Sequence, residues 1–244
     1  MIESNRVTNY WSARARDFAS VRMNELRDAL ADRWTAEICG RLPAGRPLDI
    51  LDAGTGTGFF AILLAARGHR LTGIDLTPAM IDEARRAAAA MGVSPDFALM
   101  DTQAMEYADN SFDAVVTRNL TWTLPDPEAA YREWFRVLRP GGVLLNFDAD
   151  YAANVRHHNQ RASWISSSGA YGHTGITPEL SKENAEITLQ MPAAAHKRPA
   201  WDLELAERIG FVQTGADPDA GRRILQEHDL SDAPLFLLYA VKPE

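Results

Sequence analysis

The stretch Leu48-Asp49-Ile50-Leu51-Asp52-Ala53-Gly54-Thr55-Gly56-Thr57-Gly58 constrains this chain more than any other. An apolar strand stops at a carboxylate, three glycines alternate, and an almost wholly apolar helical segment follows from Phe59. Glycine reaches positive φ without a Cβ clash and leaves room for a ligand against the backbone. The helix behind it aims unpaired N–H groups at whatever binds there. Downstream, strand and helix patterns alternate, which favours a parallel sheet with right-handed crossovers and predicts a doubly wound α/β domain. The turn is therefore a candidate pocket for a nucleotide-like cofactor.

The glycine spacing narrows the cofactor. A dinucleotide turn reads G-x-G-x-x-G around a pyrophosphate, whereas here the run is G-x-G-x-G and Phe59 follows. Asp52, just ahead of the first glycine, would repel a pyrophosphate and attract an ammonium or sulfonium group. A second strand, Arg70 to Ile74, ends at Asp75, whose carboxylate can accept hydrogen bonds from both hydroxyls of a ribose. Dehydrogenases place an acid similarly, so Asp75 alone separates nothing. A third strand, Phe97 to Met100, runs into Asp101-Thr102, where a carboxylate can accept an adenine amino proton and the backbone can donate to the ring. Three acidic strand ends then line one crevice.

With Leu51-Asp52-Ala53-Gly54-Thr55-Gly56-Thr57-Gly58, Gly73-Ile74-Asp75-Leu76, Asp101-Thr102, Ser111-Phe112-Asp113-Ala114-Val115-Val116 and Arg136-Val137-Leu138-Arg139-Pro140-Gly141-Gly142-Val143-Leu144 in order, the chain resembles class I S-adenosylmethionine-dependent methyltransferases. The resemblance falls in the small-molecule, type 11 group that includes ubiquinone and menaquinone methyltransferase-like proteins, and it covers roughly Leu48 to Phe147. It implies a seven-stranded, mostly parallel Rossmann-like sheet whose final strand is antiparallel. It also implies an N-terminal helical cover over residues 1–46, a catalytic domain over 47–244 and a substrate lid over 149–200. S-adenosyl-L-methionine is the implied cofactor. Asp52, Gly54, Thr55, Gly56 and Gly58 would hold its methionine end, Asp75 and Leu76 the ribose, and Asp101 with Thr102 the adenine. Tyr10 or Arg14 of the cover would bind its carboxylate, an arginine fork being suited to that group. The implied reaction is methyl transfer to a small-molecule acceptor.

Methyl and acceptor would meet in the loop Arg118-Asn119-Leu120-Thr121-Trp122-Thr123-Leu124-Pro125, at the carboxyl edge of the sheet. Asn119 can orient cofactor or acceptor through its amide, and Trp122 can face a sulfonium as a cation–π surface or pack under the lid. In-line displacement needs alignment and exclusion of water more than it needs a base. Relatives often carry histidines in this loop; here there are none, so a candidate base comes from elsewhere. His157 and His158, with His173 and His196, lie in the weakly patterned segment after strand five, as do Tyr151, Arg156, Trp164 and Tyr171, which can shape a substrate pocket.

Charge and cysteine usage exclude other classes. A net charge of −8 with no lysine or arginine run disfavours nucleic acid as partner. The single cysteine, Cys39, rules out an internal disulfide or a thiolate metal cluster, and no metal site is expected. No segment has the ~18 consecutive apolar residues of a membrane span, and Met1 to Arg6 lack a signal-peptide core, so a cytoplasmic monomer or homodimer without membrane insertion is expected.

Local signals place the remaining elements. Asp17 to Gly40 reads as helix, as does Phe59 to Arg67 before Gly68. Thr77 caps a helix that Pro78 opens and Met91-Gly92 ends, and Asp126, Pro127 and Glu128 begin another. Strand five, Val143 to Phe147, is followed by about fifty residues of faded regularity, longer than an ordinary loop. Trp201 to Ile209 forms a last helix, and segments near Phe211-Val212 and Leu235 to Val241 form a closing strand pair. Two other readings stay open. The same pocket can transfer or cyclise the aminocarboxypropyl arm of the cofactor, and the α/β plan alone also fits a nicotinamide-dependent oxidoreductase or a noncatalytic nucleotide sensor.

Overall fold

The computed structural model describes residues 4–160, 173, 175–226 and 233–244. The order of elements is α1 (Ser4–Leu26), α2 (Ala29–Cys39), β1 (Asp49–Ala53), α3 (Phe59–Ala65), β2 (Arg70–Asp75), α4 (Pro78–Met91), β3 (Asp96–Leu99), β4 (Phe112–Arg118), α5 (Pro127–Val137), β5 (Leu138–Asp148), α6 (Tyr151–Gln160), α7 (Pro178–Gln190), α8 (Ala200–Ile209), β6 (Val212–Asp217), α9 (Ala220–Leu225) and β7 (Phe236–Val241). Short 3₁₀ turns lie at Thr121–Thr123 and Pro192–Ala195.

The strands form one seven-stranded sheet in the order β3-β2-β1-β4-β5-β7-β6. β1 to β5 pair in parallel, and β7 runs antiparallel to both β5 and β6. This is the expected doubly wound sheet. The order reverses between β1 and β4, and a ligand crevice opens outside the carboxyl ends at such a switch point. The glycine turn after β1 lies there.

Strand residues alternate between two cores. Ile50, Ala114, Val116, Leu145, Phe147 and Leu237 face a cluster with Trp34 and Ile38 of α2, Phe59 to Leu64 of α3 and Ile224 of α9. Leu51, Val115, Leu144, Phe236 and Leu238 face the other side, with Tyr131 and Trp134 of α5 and Leu205 of α8. The inner strands β1 and β4 are buried on both faces, as a helix-covered parallel sheet requires.

Several helix boundaries differ from the sequence expectation for identifiable reasons. The helix expected from Asp17 to Gly40 is two: Asp28 breaks it by capping α2, its side chain accepting from Leu30 N at 2.9 Å. Thr77 stands at the cap of α4 but its side chain makes no capping bond; Asp75 accepts from Thr77 N instead, at 2.8 Å. α5 is capped as expected, by Asp126 on Ala129 N at 3.0 Å. The segment expected to lose regularity contains α6 and α7. Its overlooked signal is Thr177-Pro178-Glu179, which starts α7 with Thr177 Oγ1 accepting from Leu180 N at 3.2 Å. Among the described residues no helix is long and apolar enough to cross a membrane.

Candidate functional site

At the carboxyl end of β1 the turn Gly54 to Gly58 holds three glycines at φ +66°, +54° and +84°, each in the left-handed region. They do different work. A Cβ on Gly54 would lie 2.6 Å from the Leu120 side chain, and one on Gly58 would lie 3.1 Å from Ala84 and Phe97, so these two are close-packing positions. A Cβ on Gly56 would meet nothing within 4 Å. Gly56 is thus the position in this turn where the bare backbone faces open space rather than the core.

Asp52 lies beneath this turn, almost completely buried. Its Oδ2 accepts from Thr55 Oγ1 at 2.6 Å and from Ala61 N at 3.0 Å. The cap position of α3 is Gly58, which has no side chain, so Asp52 supplies the missing N-cap from a strand end. Burial pushes its carboxyl up to about 7, with the charge of Asp75 adding to the rise and Thr55 and Ala61 opposing it. Asp75, level with the turn through the Ala53–Ile74 pairing, accepts from Gly56 N at 2.9 Å and Thr77 N at 2.8 Å. Burial raises its carboxyl above the ordinary range too, against those backbone bonds.

The third acid is placed less simply. Asp101 accepts from Gln103 N at 2.9 Å and from the Gln103 amide at 3.0 Å. The Thr102 hydroxyl is buried and accepts from the Trp134 indole at 2.8 Å, so its side chain belongs to the core and only its backbone remains for a ring. Leu76, 42% exposed, leaves an apolar surface beside Asp75.

α1 lies over this edge. Its inward side carries Tyr10, Arg14, Arg22 and Glu25, all buried. Arg14 donates to the Tyr10 hydroxyl at 2.9 Å and to Asp17 at 3.1 Å. Glu25 accepts from Arg22 and, at 3.0 Å, from Arg118 at the end of β4. Burial works against ionisation of Glu25, yet Arg118 and Arg22 hold its carboxyl down at about 2. The Arg118 guanidinium also lies 4.4 Å from the Trp34 ring centre and 5.0 Å from that of Phe59. The pairing of Glu25 with Arg118 escapes sequence reading, because it joins positions 93 residues apart.

In the loop after β4, Asn119 has φ +56° and its backbone N donates to Phe147 O at 2.7 Å. Trp122 is buried, with ring-centre distances of 6.2 Å to Trp11 and 5.0 Å to Tyr151. The loop is set from below by a buried polar cluster. Trp122 N donates to Asp148 at 3.2 Å, Arg198 donates to Asp148 at 3.0 Å and to Asp202 at 2.6 Å, and Asn146 donates to Thr121 at 2.9 Å and to Tyr131 at 2.8 Å. His157 is exposed on α6. The side chain of His158 and the whole of Trp164 and Tyr171 lie outside the described residues.

Buried polar atoms without a hydrogen-bond partner gather around the turn and its cover: Thr57 Oγ1, Arg14 Nε, Arg118 Nε, Asn119 Oδ1 and Trp122 Nε1. Such groups are costly unless a ligand or water completes them. Together with the open cradle at Gly56, they fit a polar, charged adenosyl compound. Among the described residues no group of acidic, histidine or cysteine side chains could hold a metal ion.

Comparison with known proteins agrees with this geometry. Residues 51–146 match a family described as methyltransferase domain. The chain is 37% identical over 126 residues to a demethylmenaquinone methyltransferase of Thermus thermophilus, covering 50% of this chain and 57% of that one. It is 34% identical over 137 residues to a tRNA 5-carboxymethoxyuridine methyltransferase of Escherichia coli, covering 53% and 51%. The chain thus spans about half the length of these curated relatives. Among solved structures, phosphoethanolamine N-methyltransferase 2 of Haemonchus contortus in complex with S-adenosyl-L-methionine shares the fold, with a TM-score of 0.62 at 20% identity over 86% of this chain and 52% of that one.

Proposed function

We propose that this chain, whose residues 51–146 match a methyltransferase-domain family, transfers a methyl group from S-adenosyl-L-methionine to a small-molecule acceptor. The observation that carries the reading is the open, positive-φ backbone at Gly56 between the carboxylates Asp52 and Asp75. The bound cofactor supplies an electrophilic methyl group on a sulfonium sulfur. Asp75 would hold the ribose hydroxyls, Asp101 and the Thr102 backbone the adenine, Leu76 the apolar face beside it, and Gly54 to Gly58 with Asp52 the methionine end. Arg14, steadied by Tyr10, has a buried Nε to offer a carboxylate. Asn119 and Trp122 would orient cofactor and acceptor, while α1 and the residues of 149–200 act as cover and lid to align the reactants and exclude water. The net charge of −8 supports a small acceptor over a polyanionic one.

The test has two stages. Calorimetry should detect binding of S-adenosylhomocysteine. Incubation with methyl-labelled cofactor and a metabolite extract should label a small molecule and release S-adenosylhomocysteine. Release of methylthioadenosine would instead assign aminocarboxypropyl chemistry to the same pocket. A shift in melting temperature with NAD and none with S-adenosylhomocysteine would overturn the reading.

Two further outcomes are expected. Asp75→Ala should weaken S-adenosylhomocysteine binding by about 10- to 100-fold in calorimetry, since hydrogen bonds to a charged group contribute about 1.5–3 kcal/mol each. An unchanged affinity in a folded variant would remove Asp75 from the ribose.

The second concerns pH. Asp52 has its carboxyl raised to about 7 by burial, so below that pH it is mostly protonated and above it mostly charged. A sulfonium favours the charged form, whereas the neutral sulfur of S-adenosylhomocysteine does not. The affinity ratio of S-adenosylmethionine to S-adenosylhomocysteine should therefore rise from pH 6 to pH 8, by less than about 10-fold per pH unit. A flat ratio across that range would show that Asp52 serves only the turn and α3.

A further inference from the structure

Proton transfer from the acceptor has no obvious owner in the loop after β4, which carries no histidine. The fold supplies one from a distance. His173, from the segment between α6 and α7, is buried against the middle of α1, and its Nδ1 lies 2.9 Å from Asp17 Oδ2 across 156 residues of sequence. Asp17 also accepts from Arg14 at 3.1 Å and from Gly175 N at 3.0 Å. A carboxylate has no proton to give, so the Nδ1–H of His173 donates and its Nε2 carries the lone pair. The hydrogen bond given for this ring is made by Nδ1, so Nε2 is the nitrogen left for an acceptor. The ring stacks on Phe18, with centres 5.2 Å apart and planes at 24°, which fixes its orientation.

The helix that holds this ring covers the sheet edge where methyl and acceptor are expected to meet. α1 is tied down at two places: Glu25 binds Arg118 at the end of β4, and Trp11 packs on Trp122 in the loop that follows. Asp17 and Phe18 lie midway between these anchors, about 10 Å along the helix from either. Aromatic contacts continue from the imidazole through Phe18 and Trp11 to Trp122, with successive ring-centre distances of 5.2, 5.6 and 6.2 Å. The other described histidines do not share this place: His69 accepts from Leu48 N at the amino edge of the sheet, His196 stacks on Trp201, and His157 is exposed.

We propose that His173, oriented by Asp17, is the base that takes the proton of an O–H or N–H acceptor as it is methylated. The inference rests on the methyl-transfer reading above. The acceptor's oxygen or nitrogen forms the new bond to carbon, the carbon–sulfur bond breaks to leave a neutral thioether, and the acceptor's proton passes to His173 Nε2 and then to water. Burial and the guanidiniums of Arg22 and Arg14 hold the imidazole down at about 4 against the pull of Asp17. The ring is therefore neutral near pH 7, with its lone pair available, and it returns a captured proton readily. The substrate class that follows is a protic nucleophile, such as a phenol, hydroxyl or amine.

His173→Gln preserves a donor to Asp17 and removes the base. In the full-length protein, this variant should bind S-adenosylhomocysteine as the unaltered protein does, and should lose about 10²–10⁴-fold of label incorporation from methyl-labelled cofactor into a metabolite extract. Added imidazole should restore part of the loss, which a merely structural defect would not permit. Undiminished labelling by the variant would overturn the proposal. Failure of the unaltered protein to bind S-adenosylhomocysteine would instead defeat the methyl-transfer reading itself. Nitrogen-15 spectra of the protein loaded with S-adenosylhomocysteine at pH 7 give an acceptor-independent result. A neutral ring protonated on Nδ1 is expected; a proton on Nε2 would overturn the assignment even where no labelled product is found.

Discussion

Gly56→Val is expected to abolish measurable cofactor binding while leaving the protein folded. No protein atom lies within 4 Å of the Cβ position at residue 56, so the added side chain enters only the space assigned to the ligand. Its φ of +54° makes a β-branched residue costly there, by about 1–3 kcal/mol of backbone strain. Strain and obstruction must be told apart, and Gly68 provides the control. It too has positive φ, +86°, and open space around its Cβ position, but it lies in the turn after α3, leading into the opposite end of β2. Gly68→Val should lose similar stability and keep its affinity for S-adenosylhomocysteine. Gly56→Val should lose more than about 100-fold of affinity, or about 2.7 kcal/mol. Equal losses in both variants, or an unaltered Kd at position 56, would refute the backbone approach.

The largest effect on stability is expected from Arg198→Met. The guanidinium side chain is 1% exposed and lies between two carboxylates, Asp148 and Asp202, each with a side chain 0% exposed. Burial opposes its charge, but the two acids hold its pKa well above the ordinary arginine value. Methionine fills much of the same volume and leaves two buried acids facing each other without a cation. Removing one partner of a buried ionic cluster costs about 3–5 kcal/mol. For a chain of this size that is a fall in Tm of roughly 10 °C. A loss below about 1 kcal/mol in denaturant titration would mean that the cluster is not what secures this layer. Because Asp148 also accepts from Trp122 N at 3.2 Å, surviving protein should show a loosened loop after β4.

What the sequence made legible was local. The strand–turn–helix from Leu48 to Phe59 and the Asp126-Pro127 helix start depend on neighbours within a few residues, whereas the antiparallel course of the last strand followed only from the family resemblance. The acidic strand ends were readable for the same reason, since each marks where an apolar run stops. Their hydrogen bonds were not. Whether Asp52 faces a ligand or caps α3 turns on Ala61, and Thr102 is claimed by Trp134 from α5. α6 and α7 were hidden because they bury little and carry polar residues nearly all round, leaving periodicity with little to register. The pairing of Asp17 with His173 leaves no trace in spacing at all.

The ties between α1 and α7 bear on the order of assembly. Arg6 binds Glu183 at 2.6 Å and Glu186 at 2.6 Å, and Tyr10 packs with Ile187 and Met191. α1 therefore waits for partners some 180 residues further along the chain. Contacts so far apart in sequence form late, after the sheet has supplied the enthalpy and shape to hold the ends together. Refolding should restore strand protection first and ligand recognition last, so that the chain has no competent pocket until its final third has docked.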